Sequence, residues 1–181
     1  MSSTSDNSVE YSHKHSKYID KLINNAHNHE QNHRHSAGFI QKSKMMMYGY
    51  NHDSAGICGL KAYQVHAEVA CIINILKQQK QTKKKLNDIM KKYYTDELHI
   101  GKKYNPLIKG DIMVIRFGEM NLKNSKPCKK CAIFMHNIGI KNCFYSTYDN
   151  TFIKANMKTL DNIGIENYRY SAGFKFIKGM K

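Results

Sequence analysis

The sequence predicts an α/β protein, a three-layer α/β/α sandwich around a mixed five-stranded sheet. Three observations lead there. Helical apolar spacing recurs in separate segments, over Tyr18, Ile19, Leu22, Ile23 and Ala26 and again over Val69, Ile72, Ile73 and Leu76. Between them lies a hairpin pattern, apolar arms at 37–40 and 45–47 across the polar tip 41–44. Further on, residues 112–117 form a near-continuous apolar run, as a central strand covered on both faces requires. The order of elements is then helix, hairpin, helix, strand, helix, strand, helix.

At 181 residues the chain is long enough to bury a core as one domain. Residues 1–15 are Ser-, Asn- and His-rich without periodicity and are expected as a disordered polar tail, with a single domain over 16–181. Lysine and arginine number 29 against 14 acids, a net charge of +15. Such a balance suits polyanionic or phosphorylated partners, and equally suits a solvated lysine-rich face. The polar start carries no secretory leader, and no apolar run nears the ~20 residues needed to span a bilayer, so a membrane role is not expected. With five cysteines and a metal-type Cys pair, the expectation is an intracellular, most simply cytoplasmic, protein. Cys58, Cys71 and Cys143 read as buried thiols.

The first helix is expected from Ser16, an N-cap residue type. His27, His29, His33 and His35 follow it, read as a polar helix end and loop without an ordered metal. After the hairpin, Gly49-Tyr50-Asn51 closes the second arm, and residues 52–65 form the loop that delivers His66. His66 and Glu68 are expected in the first turn of the next helix, at the positive end of its dipole. Residues 77–109 are a basic insert, ten lysines against three acids. Within it Leu86, Ile89, Met90, Tyr93 and Tyr94 keep helical spacing, leaving Lys83, Lys84, Lys85, Lys91 and Lys92 for the open face. Pro127 reads as a first-turn helix residue, with Cys128 and Cys131 on one face behind it and 137–139 ending that helix. Residues 142–146 read as a strand, and Asp149 as the cap of a short helix through Leu160. The tail interleaves Tyr168, Tyr170, Phe174 and Phe176 with Arg169 and Lys175, a pattern that serves either a packed aromatic face or base stacking.

His66, Cys128 and Cys131 are a zinc-type ligand set. One imidazole and two thiolates leave a fourth tetrahedral position for water, as catalytic rather than structural sites do. Either half is weak evidence alone; the conjunction His66-Ala67-Glu68 with Pro127-Cys128-Lys129-Lys130-Cys131 is not. This H-x-E…P-C-x-x-C pattern resembles the cytidine/deoxycytidylate deaminase superfamily, which includes tRNA adenosine deaminases. The resemblance covers roughly residues 16–165, the insert excepted.

The resemblance implies a Zn²⁺ cofactor held by His66, Cys128 and Cys131, with Glu68 as the proton shuttle. It also implies that the backbone N–H of Ala67 holds the base carbonyl, and makes Ser125 a backbone contact for substrate. It places Asn51 on the substrate ribose; the alternative for Asn51 is a turn residue that tolerates left-handed geometry. The expected function is hydrolytic deamination of a cytosine-type nucleoside or nucleotide, by a homo-oligomer. Alternatives are an RNA or single-stranded DNA deaminase using Lys83, Lys84, Lys85, Lys91 and Lys92, and a non-catalytic nucleic-acid-binding module. Deoxycytidylate deaminases commonly carry an Asn just after the first motif, where this chain has Val69 and Ala70.

Overall fold

The computed structural model describes residues 13–27, 34–52, 65–80, 83–94 and 107–157. In chain order they form α1 (His13–His27), β1 (Arg34–Gln41), β2 (Lys44–Tyr50), α2 (Ala67–Gln78), α3 (Lys83–Tyr94), β3 (Gly110–Phe117), β4 (Leu122–Lys123), α4 (Lys129–Ile138), β5 (Ile140–Ser146) and β6 (Phe152–Asn156). The strands make one mixed sheet in the order β2-β1-β3-β5-β6, with the two-residue β4 paired to β3 off that path. Only β3 and β5 run parallel; β1 is antiparallel to both β2 and β3, and β6 is antiparallel to β5.

The apolar run becomes β3, at the centre. Ile112, Met113, Val114 and Ile115 are all fully buried, and alternate side chains enter opposite cores. Ile112 and Val114 join Val69, Ile72, Ile73 and Leu76 of α2 and Phe134 and Met135 of α4. Met113 and Ile115 join Leu22 of α1, with Tyr18, Ile19 and Ile23 packed around them. Two helical layers therefore sandwich the sheet, and each large side chain so buried contributes on the order of 1.5–3 kcal/mol. Helix α3 adds Ile89 to the α2 side, while Lys84, Lys85 and Lys91 are exposed, as its spacing predicts.

Gly49 sets how closely α2 sits on the hairpin: a Cβ there would lie 2.3 Å from the Cys71 amide nitrogen and 2.8 Å from the Ala70 carbonyl carbon. At the other end of the hairpin, the two-residue turn Lys42–Ser43 has φ of 48° and 57°. Neither residue is Gly or Asn, so each carries a left-handed cost of roughly 1–2 kcal/mol. The Tyr18 hydroxyl holds this turn by donating to the Ser43 carbonyl at 2.6 Å.

Several expectations need correction. The helix expected after Asp149 is strand β6. Thr147 N–H donates to the Thr151 carbonyl at 2.9 Å and the two hydroxyls lie 2.8 Å apart, closing a hairpin in which Asn150 takes φ 56°. From Phe152 the side chains then alternate, Phe152 into one core and Ala155 into the other. Helix α1 begins at His13 rather than Ser16, inside the stretch expected as a tail, and β1 takes in Arg34 and His35 ahead of the expected arm. Helix α2 runs to Gln78 and overlaps the start of the basic insert. The rest of the tail, His29, His33, Cys58, the aromatic segment 168–177 and the side chains of Lys83 and Lys92 lie outside the described residues. Cys71 and Cys143 are buried, as expected. Among the described residues no helix is long and apolar enough to cross a membrane.

Candidate metal centre and active site

Two helix N-termini meet at the site. His66 is the N-cap of α2, with φ −72° and ψ 150°, and Cys128 is the N-cap of α4, with φ −69° and ψ 162°. Neither side chain makes a capping hydrogen bond. N-cap positions favour Ser, Thr, Asp or Asn for capping; His and Cys here turn to each other instead. Pro127 accordingly precedes the N-cap rather than occupying the first turn, and His66 lies just ahead of its helix. Cys131 is the third helical residue after Cys128, the spacing at which an N-cap side chain and its partner converge in a capping box. That explains why C-x-x-C places both sulfurs at one point.

The ligand atoms of His66, Cys128 and Cys131 all lie within 4.8 Å of one another. His66 Nδ1 is 3.6 Å from Cys128 Sγ and 3.4 Å from Cys131 Sγ. A tetrahedral zinc with Zn–N of about 2.0–2.1 Å and Zn–S of about 2.3 Å would hold nitrogen and sulfur roughly 3.5 Å apart. The three residues fit such an ion, through the Nδ1 face of the imidazole.

The thiol of Cys128 carries the electrostatics that would suit a cation. The hydrogen bond with Cys131, against the opposing effect of burial and together with the adjacent His66, holds the Cys128 thiol well below its ordinary range. Burial likewise pulls His66 down, yet its hydrogen bond to Cys128 and the charges of Cys128 and Glu68 leave it raised. Glu68, 5 % exposed in the first turn of α2, is raised because burial outweighs the attraction of His66. The backbone N–H of Glu68 itself and the Cys131 thiol hydrogen-bond to this carboxyl and partly oppose that rise. Lys130, buried beside the cluster, is a charged neighbour of His66 that sequence reasoning missed.

Ala67 is the first residue of α2 and fully buried. The first intrahelical bond, Ala70 N–H to the His66 carbonyl at 2.9 Å, leaves the preceding amides without helical acceptors. Asn51 reaches this end of the sheet because His52 and Val65 form an isolated antiparallel bridge, one residue before His66. Its Oδ1 accepts the His35 N–H at 2.7 Å, and its own N–H returns to the His35 carbonyl at 3.2 Å. Ser125 ties the α4 entry loop to the strand ends. Its hydroxyl donates to the Val114 carbonyl at 2.7 Å and accepts the Ser146 N–H at 2.8 Å, while its N–H donates to the Ser146 carbonyl at 2.9 Å. Ser146 is a positioning residue with no local sequence signal: its hydroxyl donates to the Lys123 carbonyl at 2.7 Å. Five of the seven sequence-predicted site residues thus gather at the two helix N-termini; Asn51 and Ser125 border them through backbone partners.

No curated protein matches the sequence. Solved structures similar to it include dCMP deaminase from the cyanophage S-TIM5 in apo form, at 11% identity and TM-score 0.47, covering 77% of this chain and 86% of that one. The same enzyme in complex with dCMP and dUMP is similar at 11% identity and TM-score 0.44, covering 75% and 82%. A family model described as the cytidine and deoxycytidylate deaminase zinc-binding region matches residues 12–147, well over half of the chain and spanning both helix N-termini. The chain therefore belongs to the cytidine and deoxycytidylate deaminase family.

Proposed function

We propose that this protein is a zinc-dependent hydrolytic deaminase of a cytosine-type nucleoside or nucleotide. The observation that carries the reading is the convergence of His66 Nδ1 on two thiol sulfurs at 3.4 and 3.6 Å with the buried Glu68 carboxyl alongside. His66, Cys128 and Cys131 would hold the ion. Bound zinc supplies Lewis acidity that makes water a nucleophile at neutral pH.

The chain's own groups do the rest. The Glu68 carboxylate takes a proton from the attacking water and gives it to the ring nitrogen beside the carbon that bears the amine. It then carries a proton to the departing ammonia, so that water and the amino base become ammonia and the oxo base. Burial of Glu68 supports this role, because it brings the carboxyl's two protonation states closer in energy at neutral pH. The Ala67 N–H, at the start of α2, would hold the base carbonyl. For Asn51, whose oxygen is engaged by His35, contact with a sugar would fall to the amide nitrogen. For Ser125, whose N–H is engaged by Ser146, a backbone contact would fall to the carbonyl.

Exposed Lys84, Lys85 and Lys91 on α3, with the net charge of +15, favour a second reading, a polynucleotide deaminase. A deamination panel of cytosine, cytidine, CMP, dCMP, adenosine, tRNA and single-stranded DNA tests both. Turnover of cytidine or a cytosine mononucleotide supports the first reading. Turnover confined to tRNA or single-stranded DNA, with a salt slope reduced by Lys84→Gln and Lys85→Gln, would establish the second.

A further inference from the structure

A cavity of about 390 Å³ opens on the α1 side of the sheet, at the end away from the metal cluster. It is bounded by the β1–β2 turn, the segment entering β3 and the start of β5. The separation from the candidate site follows from β1. Its His35 binds Asn51 near the metal cluster, whereas its Gln41 lines the cavity six residues on, roughly 20 Å along the strand.

The lining has two chemical parts. Lys42, Lys109 and Lys141, all exposed, line it from three separate segments. The opposing charge among the lining residues is Asp111, whose Oδ1 accepts a hydrogen bond from Asn142 at 2.8 Å. Ile40, Phe144 and the ring of Tyr18 supply an apolar wall. Three exposed lysines against one carboxylate give this concavity a net positive charge, which favours an anion. The turn that carries Lys42 is also held in the left-handed region at both central residues, without Gly or Asn, and is pinned by Tyr18. The volume falls in the range of small-molecule sites.

We infer that this cavity binds a small aromatic organic phosphate, its phosphate oxygens among Lys42, Lys109 and Lys141 and its ring against Phe144 and Ile40. The site is separate from the proposed deaminase centre and does not depend on it.

Calorimetric titration of the full chain with phenyl phosphate and with inorganic phosphate tests this. Phenyl phosphate should bind one per chain, roughly tenfold more tightly than inorganic phosphate because of the apolar wall. Its affinity should fall with added salt. The Lys42→Gln/Lys141→Gln variant should weaken it by roughly tenfold or more. Exposed Lys77→Gln should leave it unchanged, and so should Cys128→Ser, which removes a candidate metal ligand. The Gly110 amide resonance should shift on titration, locating the ligand without any substitution. Loss of binding in Cys128→Ser would place the ligand at the deaminase site and overturn the inference. So would equal affinity for the two phosphates, an unmoved Gly110 amide, or full binding by the double variant. Single-stranded oligonucleotide binding sensitive to Lys42 and Lys141, without phenyl phosphate binding, would identify a polynucleotide face instead and likewise overturn it.

Discussion

His66 and Cys128 are the N-cap residues of two different helices, and their ligand atoms Nδ1 and Sγ lie 3.6 Å apart. Each helix gives up a side-chain cap to bring this about. The positive ends of two helix dipoles then face one point, which adds to the effects that favour the Cys128 thiolate. A divalent cation held by His66, Cys128 and Cys131 would offset the thiolate charge.

Zinc should co-purify at about one per chain and be stripped by chelators, with a fall in melting temperature as binding to the folded state is lost. His66→Ala and Cys128→Ser should each abolish stoichiometric zinc in elemental analysis. Tight zinc retained by both variants would place the ion elsewhere.

Gly49→Ala should destabilise the fold by about 1–3 kcal/mol or more in urea denaturation, because the added methyl meets the α2 backbone at 2.3 Å rather than a movable side-chain end. A change below about 0.5 kcal/mol would mean that α2 withdraws freely from the hairpin.

Much of this was legible in the sequence. His66, Glu68, Cys128 and Cys131 stand out because metal chemistry demands particular residue types at short spacing, and β3 because a strand buried on both faces needs an unbroken apolar run. The sequence points to a helix where β6 forms: Asp149 is a good helix cap, and the competing signal is a single residue, Asn150, left-handed in the turn between Thr147 and Thr151. The contacts of Ser125 with Val114 and Ser146 were out of reach, since they depend on where β3 and β5 end in the sheet. The oxygen of Asn51 was similarly hidden, because its partner is a backbone amide sixteen residues away.

Ser125 and Ser146 should be energetically coupled. Their hydroxyls lie 2.9 Å apart, buried, and between them hold the Val114 and Lys123 carbonyls. Each single change to alanine should cost about 1–3 kcal/mol, and the double-mutant cycle should return a coupling of about 0.5–3 kcal/mol. Additive losses would show two independent contacts.

Asn51→Ala should act in two separable ways. Loss of the acceptor for His35 N–H should lower stability by about 1–3 kcal/mol. If the amide also meets a sugar, kcat/KM should fall more for cytidine than for free cytosine. Equal falls would confine Asn51 to its structural bond.

The central claim is that Glu68 moves protons at this centre, and turnover by a Glu68→Ala variant that still carries zinc tests it most directly. Deamination of cytidine, CMP or dCMP, followed by loss of the amino base in chromatography, should drop by about 10²–10⁴-fold or more with zinc content and melting temperature near wild type. Activity within a few-fold of wild type in the zinc-loaded variant would contradict the account and leave Glu68 a buried helix-terminal carboxyl.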